Sequence, residues 1–225
     1  MKLTVFRAAM LAATGLLASG CVLTTKKVAP VGTSVTAVVA RAEAWTGVAS
    51  NGDRNRINRT PLAWQQGLAE ARARGFRDAI RAEGKLLAAG GGLARPAPTP
   101  GSYSCRVVTL GRSAKRGPAF EKYKPFFCYV DVEGELFTIV KQTGSERPAG
   151  RLWADSVPTR LIFLGSLALG NEEEARAYGD DPRRDIAGVF ERIAPFVWRL
   201  VIPFPQDGTK LQVFELTPVA EQPKG

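Results

Sequence analysis

The stretch 126–143, FFCYVDVEGELFTIVKQT, decides the fold. Two runs of aromatic and β-branched residues, 126–132 and 136–143, flank Glu133-Gly134-Glu135. Such side chains suit a pleated, half-buried surface, and a short glycine-centred link between two such runs predicts a tight hairpin. Similar runs recur on both sides, at 103–110, 160–167, 186–194, 197–203 and 211–217. Pro195 and Pro203 bound strand ends, because proline cannot donate to a central ladder. The acidic, then mixed stretch 170–185 reads as a loop. Short strands at regular spacing with no long helix between them predict an antiparallel β-barrel or strongly bent sheet.

Upstream the pattern changes. Gly90-Gly91-Gly92 and RPAPTPG (95–101) cannot be regular structure and mark a linker. Before them, apolar positions recur at helical spacing: Leu62, Trp64, Leu68, Ala71, Phe76, Ile80 and Leu86-Leu87. Thr60-Pro61 resembles a helix start, with Thr60 as the cap and Pro61 at the first position. Gly75 divides the run into two helices. Arg72, Arg74, Arg77 and Arg81 are mixed with Glu70, Asp78 and Glu83, the pattern of a solvated face. An earlier helix is expected from Ser34 through Val35, Val38, Val39, Ala42 and Trp45, followed by a polar loop or short turn, SNGDRNRINR. The class is therefore α+β. The expected organisation is a leader (1–20), a tether (21–36), a helical segment (37–94) and an antiparallel β domain (95–220) packed with it.

The chain opens MKLTVFRAAMLAATGLLASGC. Lys2 and Arg7 precede an apolar run at 8–18 that is shorter than the roughly 20 residues a spanning helix needs. Basic start, short apolar run and small residues before a cysteine read as a secretory signal peptide ending in a lipobox. Cys21 is then the site of lipidation. Its thiol takes up a diacylglycerol, and palmitate-type acyl chains contribute about 0.8 kcal/mol per buried CH₂ to membrane anchoring. Ala18 stands where leucine is more usual. Val22 replaces the aspartate that favours inner-membrane retention, which points to the outer membrane of a bacterial envelope, facing the periplasm.

Lysine and arginine total 31 against 21 acidic residues, a net charge of +10 that falls to +8 without Lys2 and Arg7. Such a surface would attract anionic lipid or another acidic envelope polymer, but charge spread over the surface for solubility is the better explanation. Nucleic acid is not an expected partner of an exported lipoprotein. Once Cys21 is lipidated, Cys105 and Cys128 remain as an even pair in an oxidising compartment and are expected to form a disulfide. Closing that loop would stabilise the fold by roughly 3 kcal/mol.

The sequence contains no histidine. That removes the usual general base, Ser/His triads and the commonest metal ligand. No GxSxG, P-loop or dinucleotide motif is present, so no cofactor and no metal are expected, and catalytic residues remain unassigned. Lys141 and Ser145 would lie about 13 Å apart along a strand, too far for proton transfer. Ser113 with Lys115 fits a basic loop. Glu172-Glu173-Glu174 and Asp180-Asp181 match no EF-hand spacing and read as solvated loop charge. Trp153, Phe163, Phe190, Phe196, Trp198 and Phe214 are expected in the core, with Arg199 outward. The candidate polar cluster is Lys141, Arg147, Arg184, Asp185, Glu191 and Arg192. Inward charges on barrel strands must be paired. The cluster is either an ion-pair network, Asp185 or Glu191 with Arg147 or Arg192, or the polar lining of a pocket for an anionic ligand.

The chain also resembles a known family, a bacterial domain of unknown function numbered 4893, across about 45–218. The resemblance rests on Trp45, DRNRI (53–57), Ala63-Trp64, PGSYSCR (100–106), Phe127-Cys128 and KQTGSER (141–147). It continues through Phe163-Leu164-Gly165, Tyr178-Gly179, Arg184-Asp185, Gly188, Glu191-Arg192, WRLV (198–201) and Glu215-Leu216. It implies an envelope protein and brings no assigned activity. In architecture the strand half is also similar to the calycin class of small barrels. The expected function is a non-catalytic binding or interaction role, with another envelope protein, a lipid or an acidic polymer as partner. The alternative is an atypical hydrolase using carboxylates or a Ser/Lys pair.

Overall fold

In the computed structural model, which describes residues 45–112, 117–170 and 172–219, the hairpin forms as its residues require. Strands β3 (Phe126–Glu133) and β4 (Leu136–Lys141) pair antiparallel from Cys128↔Lys141 to Glu133↔Leu136. Gly134 turns between them with φ 62°, a conformation open to glycine at no steric cost. The ladder continues through β5 (Glu146–Ala154), β6 (Arg160–Leu169), β7 (Asp185–Ala194), β8 (Val197–Pro203) and β9 (Leu211–Pro218). Strand β9 then pairs with β1 (Gly101–Leu110) from Leu110↔Leu211 to Tyr103↔Pro218, and β1 pairs with β3. Eight antiparallel strands thus close on themselves, which leaves no open edge. The short β2 (Phe120–Lys122) pairs with the other end of β1, on the same side as β3. Pro125, with no N–H to donate, stands in the break between β2 and β3.

Two hydrophobic clusters lie on opposite faces of the wall. Inside the barrel are Tyr103, Cys105, Cys128, Val130, Ile139, Leu152, Phe163, Phe190, Trp198, Leu200 and Leu216. The outward partners Ile162, Leu164, Val189, Val201 and Val213 are buried under the helical layer with Ile57, Trp64, Leu68 and Leu86. That layer consists of α1 (Asn51–Asn58), α2 (Thr60–Ala73), α3 (Arg77–Ala82) and the 3₁₀ turn η1 (Gly84–Leu87). Alternate residues of β8 and β9 therefore face two different cores.

Gly150 and Gly165 face each other as register partners on β5 and β6. A Cβ on either would press on backbone of the other strand and on the Phe163 ring. Glycine there lets the strands approach closely at the barrel waist.

Several expectations change on contact with the structure. The stretch read as a polar loop or short turn is mostly α1, started by Ser50 as its cap. Ser50 Oγ accepts from the Asp53 N–H at 3.1 Å and donates to the Asp53 carboxylate at 2.8 Å. The second helix begins with Arg59 as its cap and Pro61 in its first turn, and the Thr60 hydroxyl donates instead to the Ile57 carbonyl. Strands β2 and β5 join those expected. Phe196 is not core: it is 67% exposed at the β7–β8 turn, and its φ is 55°. The expected helix from Ser34, the leader, the tether, Cys21 and the Ser113/Lys115 loop lie outside the described residues.

Candidate functional site: the open mouth of the barrel

The two ends of the barrel differ. At the end where β1 begins, Tyr103 and Trp198 meet edge to face, ring centroids 5.8 Å apart. The linker crosses this end: the Tyr103 hydroxyl donates to the Thr99 carbonyl at 2.6 Å, and Trp198 Nε1 donates to the Pro96 carbonyl at 3.0 Å. Aromatic rings and a strapped segment make this end a floor. The disulfide Cys105–Cys128 bridges β1 and β3 inside the wall, Cα atoms 5.9 Å apart.

Above it the interior opens into a cavity of about 650 Å³. Its apolar wall comes from inward positions of the strands: Val107, Phe126, Leu167, Ile186, Ile202 and Phe214. Polar groups enter from Thr109, Lys141, Glu146 and Gln212 on the wall, and from Lys124, Arg183 and Asp207 on the rim. The rim is fixed by its own bonds. Gln206 Nε2 donates to the carbonyls of Pro182 (2.9 Å) and Asp185 (3.1 Å). Arg147 donates to the carbonyls of Gly144 (2.9 Å), Gly170 (2.8 Å) and Glu172. The Tyr178 hydroxyl, on the 170–184 loop, donates to buried Asp53 on α1 at 2.5 Å. Burial and that carboxylate push the Tyr178 hydroxyl up to about 12, so it remains a donor.

The six charged residues singled out in the sequence divide among three places. Lys141 alone is on the inner wall, its Nζ 4.4 Å from the centroid of the Phe126 ring. Burial pulls its ammonium below the ordinary lysine value; Glu146 opposes that shift and Arg147 adds to it. Arg147, Arg184 and Asp185 belong to the rim. Arg184 donates to Glu172 at 2.6 Å and lies 3.6 Å from Asp181. Asp185 is buried and accepts from the Gly179 N–H at 3.0 Å; burial pushes its carboxyl up. Glu191 and Arg192 stand toward the floor end. Glu191 pairs with Arg199 at 2.6 Å, and Arg192 donates to the Ala94 carbonyl at 2.5 Å.

The sequence reading missed three buried polar groups. Arg199 points outward as expected, yet its side chain is 0% exposed because the helical layer covers it. Asp53 meets Tyr178 from 125 residues away, and Glu83 holds Arg106 and Lys122 at 2.6 and 3.0 Å. Only their placement in the resemblance motifs DRNRI and WRLV marked Asp53 and Arg199 beforehand. Among the described residues, no group of three or more histidine, cysteine, aspartate or glutamate side chains is placed to hold a metal ion. No helix among them is long and apolar enough to cross a membrane.

Fold and cavity together define a small closed antiparallel barrel with one sealed end, one open end and a helical cover. Residues 45–216 match the model of the family described as a domain of unknown function, DUF4893, and the chain belongs to that family. No curated protein and no solved structure matches it.

Proposed function

We propose that this chain is a lipid-anchored, non-catalytic binding protein of the bacterial envelope, held through Cys21 and taking one small, largely apolar ligand in the barrel mouth. The observation that carries the reading is the half-filled interior. A barrel serving only as a scaffold would pack its inner face throughout. Here the floor half is packed and the mouth half encloses about 650 Å³. That is within the roughly 300–1,000 Å³ of small-molecule sites, which are apolar concavities with a few placed polar groups. The bonded rim means that the site needs little ordering on binding, which favours affinity. The leader, the lipobox and the outer-membrane address rest on the sequence of 1–22.

Native mass spectrometry of the protein purified from its host's envelope tests both halves. The expected mass begins at Cys21, carries acyl chains, and shows a noncovalent small-molecule adduct. Leu167→Trp, filling the mouth from β6, should lose the adduct and keep the acyl mass. An intact leader, an unmodified thiol at Cys21, or the same adduct in both proteins would overturn the reading.

A further inference from the structure

The cavity's charges are not interchangeable. Arg183 and Arg184, at the rim, are engaged with Asp181 and Glu172. Arg56 is held by Asp53. Asp207 accepts from the Thr209 hydroxyl and Gln212 Nε2, both at 2.8 Å. Lys141 differs from all of these. It stands on the inner wall beside the Cys128 position, and among the described residues no carboxylate lies within ion-pair distance of its Nζ. Its close contact is the face of the Phe126 ring. A half-buried ammonium facing apolar wall is a costly arrangement unless something anionic completes it. Glu146, which opens the neighbouring strand β5 and also lines the cavity, acts on it electrostatically without an ion-pair contact.

From this we infer that the ligand is a single-chain amphiphile with an anionic carboxylate head, its chain against Val107, Leu167, Ile202 and Phe214 and its head on Lys141 Nζ. The inference rests on the cavity being a ligand site, and it adds the ligand's class and the residue that reads it. Glu146 becomes the competing carboxylate: it repels the head and is the counter-ion Lys141 senses when the site is empty. The amine donates to the carboxylate, the Phe126 face supports the ammonium from behind, and no bond is made or broken.

The test is calorimetric titration of the full mature chain with dodecanoate and with dodecanol, a pair matched in chain and differing in charge. Dodecanoate should bind about tenfold more tightly than dodecanol, the difference one charge-assisted hydrogen bond provides. Lys141→Met should abolish that preference, so that the variant binds dodecanoate no more tightly than dodecanol. Glu146→Gln should increase dodecanoate affinity, a gain that a merely structural role would not produce. Equal binding of the two probes by the unmodified protein, or a Glu146→Gln variant that weakens dodecanoate, overturns the inference and leaves the ligand site standing. Binding of neither probe overturns both.

Discussion

Arg199 shows how much one side chain does at the junction of the two layers. It belongs to β8 and faces outward, opposite its register partner Glu191 on β7. Its Nε donates to Glu191 Oε2 at 2.8 Å. Its Nη1 donates to three carbonyls of the turn that ends the helical layer: Lys85 (3.2 Å), Leu86 (3.1 Å) and Ala88 (2.7 Å). The Lys85 carbonyl also accepts the Ala88 N–H at 3.3 Å, and the carbonyls of Leu86 and Ala88 lie at a helix end, where intrahelical partners run out. The guanidinium also lies 5.1 Å from the centroid of the Trp64 ring on α2. Only a planar fork of five donors can serve a carboxylate and a row of carbonyls together. Arg199→Met keeps the length, strands Glu191 and leaves the carbonyls unserved. Breaking a buried pair from one side costs about 3–5 kcal/mol. The variant should therefore lose about that much in urea unfolding, and Arg199→Lys should recover only part of it. A loss under about 1 kcal/mol would mean that water already serves these carbonyls.

At the scale of elements, the barrel waist is set by β5 and β6. Gly165→Ala would push a methyl into the carbonyl oxygen of Ala149 and the Cα of Gly150, both backbone atoms that cannot swing away. Overpacking of this kind costs about 1–3 kcal/mol and here should reach the upper end, read as a fall in the urea midpoint at unchanged slope. An unaffected midpoint would show that the sheet can open there. The same strand explains where sequence reading stopped. ERPAGRLWA (β5) carries Pro148, Gly150 and three charges, so its alternation is broken and it was not among the expected strands. The alternation is real: Pro148, Gly150 and Leu152 share the inner face, with Leu152 opposite Phe163. Helix α1 escaped for a related reason. With Asp53 and Ile57 as its buried residues, it has almost no apolar stripe, and its Ser-x-x-Asp start was the one local signal. The hairpin, the remaining strands except the three-residue β2, the glycine break at 75 and the linker were legible, because period and turn chemistry agreed there. The cavity was not. Whether inward positions fill a barrel depends on the sizes of residues from eight strands at one height, and no single segment holds that information.

For the whole molecule, buried carboxylates join the parts, and two of them pull the pH dependence of stability in opposite directions. Glu83 ties the helical layer to β1 and β2 through Arg106 and Lys122. Burial alone would raise its carboxyl, but hydrogen bonds from Lys122 and Arg106 outweigh burial and hold it below 4.5. A carboxyl depressed on folding contributes stability above its unfolded value and loses it as pH falls through the folded one. Asp185, at the mouth, is the reverse case. Burial raises it above 3.8, and its main compensation is the Gly179 N–H. The folded state binds that proton more tightly than the unfolded chain, so ionised Asp185 lowers stability near neutrality and the deficit closes as pH falls. Glu83→Gln should therefore cost about 2 kcal/mol at neutral pH, with the difference from the parent shrinking as pH falls below the ordinary glutamate value and gone once the folded carboxyl is protonated. Asp185→Asn keeps an oxygen for the Gly179 N–H and removes the buried charge, so it should equal or exceed the parent at neutral pH and converge with it in acid. Urea midpoints across that range check both. Parallel curves for parent and variants would mean that neither carboxyl titrates differently in the folded and unfolded states, and that the Glu83 ion pairs add nothing to the hold of the helical layer on the barrel.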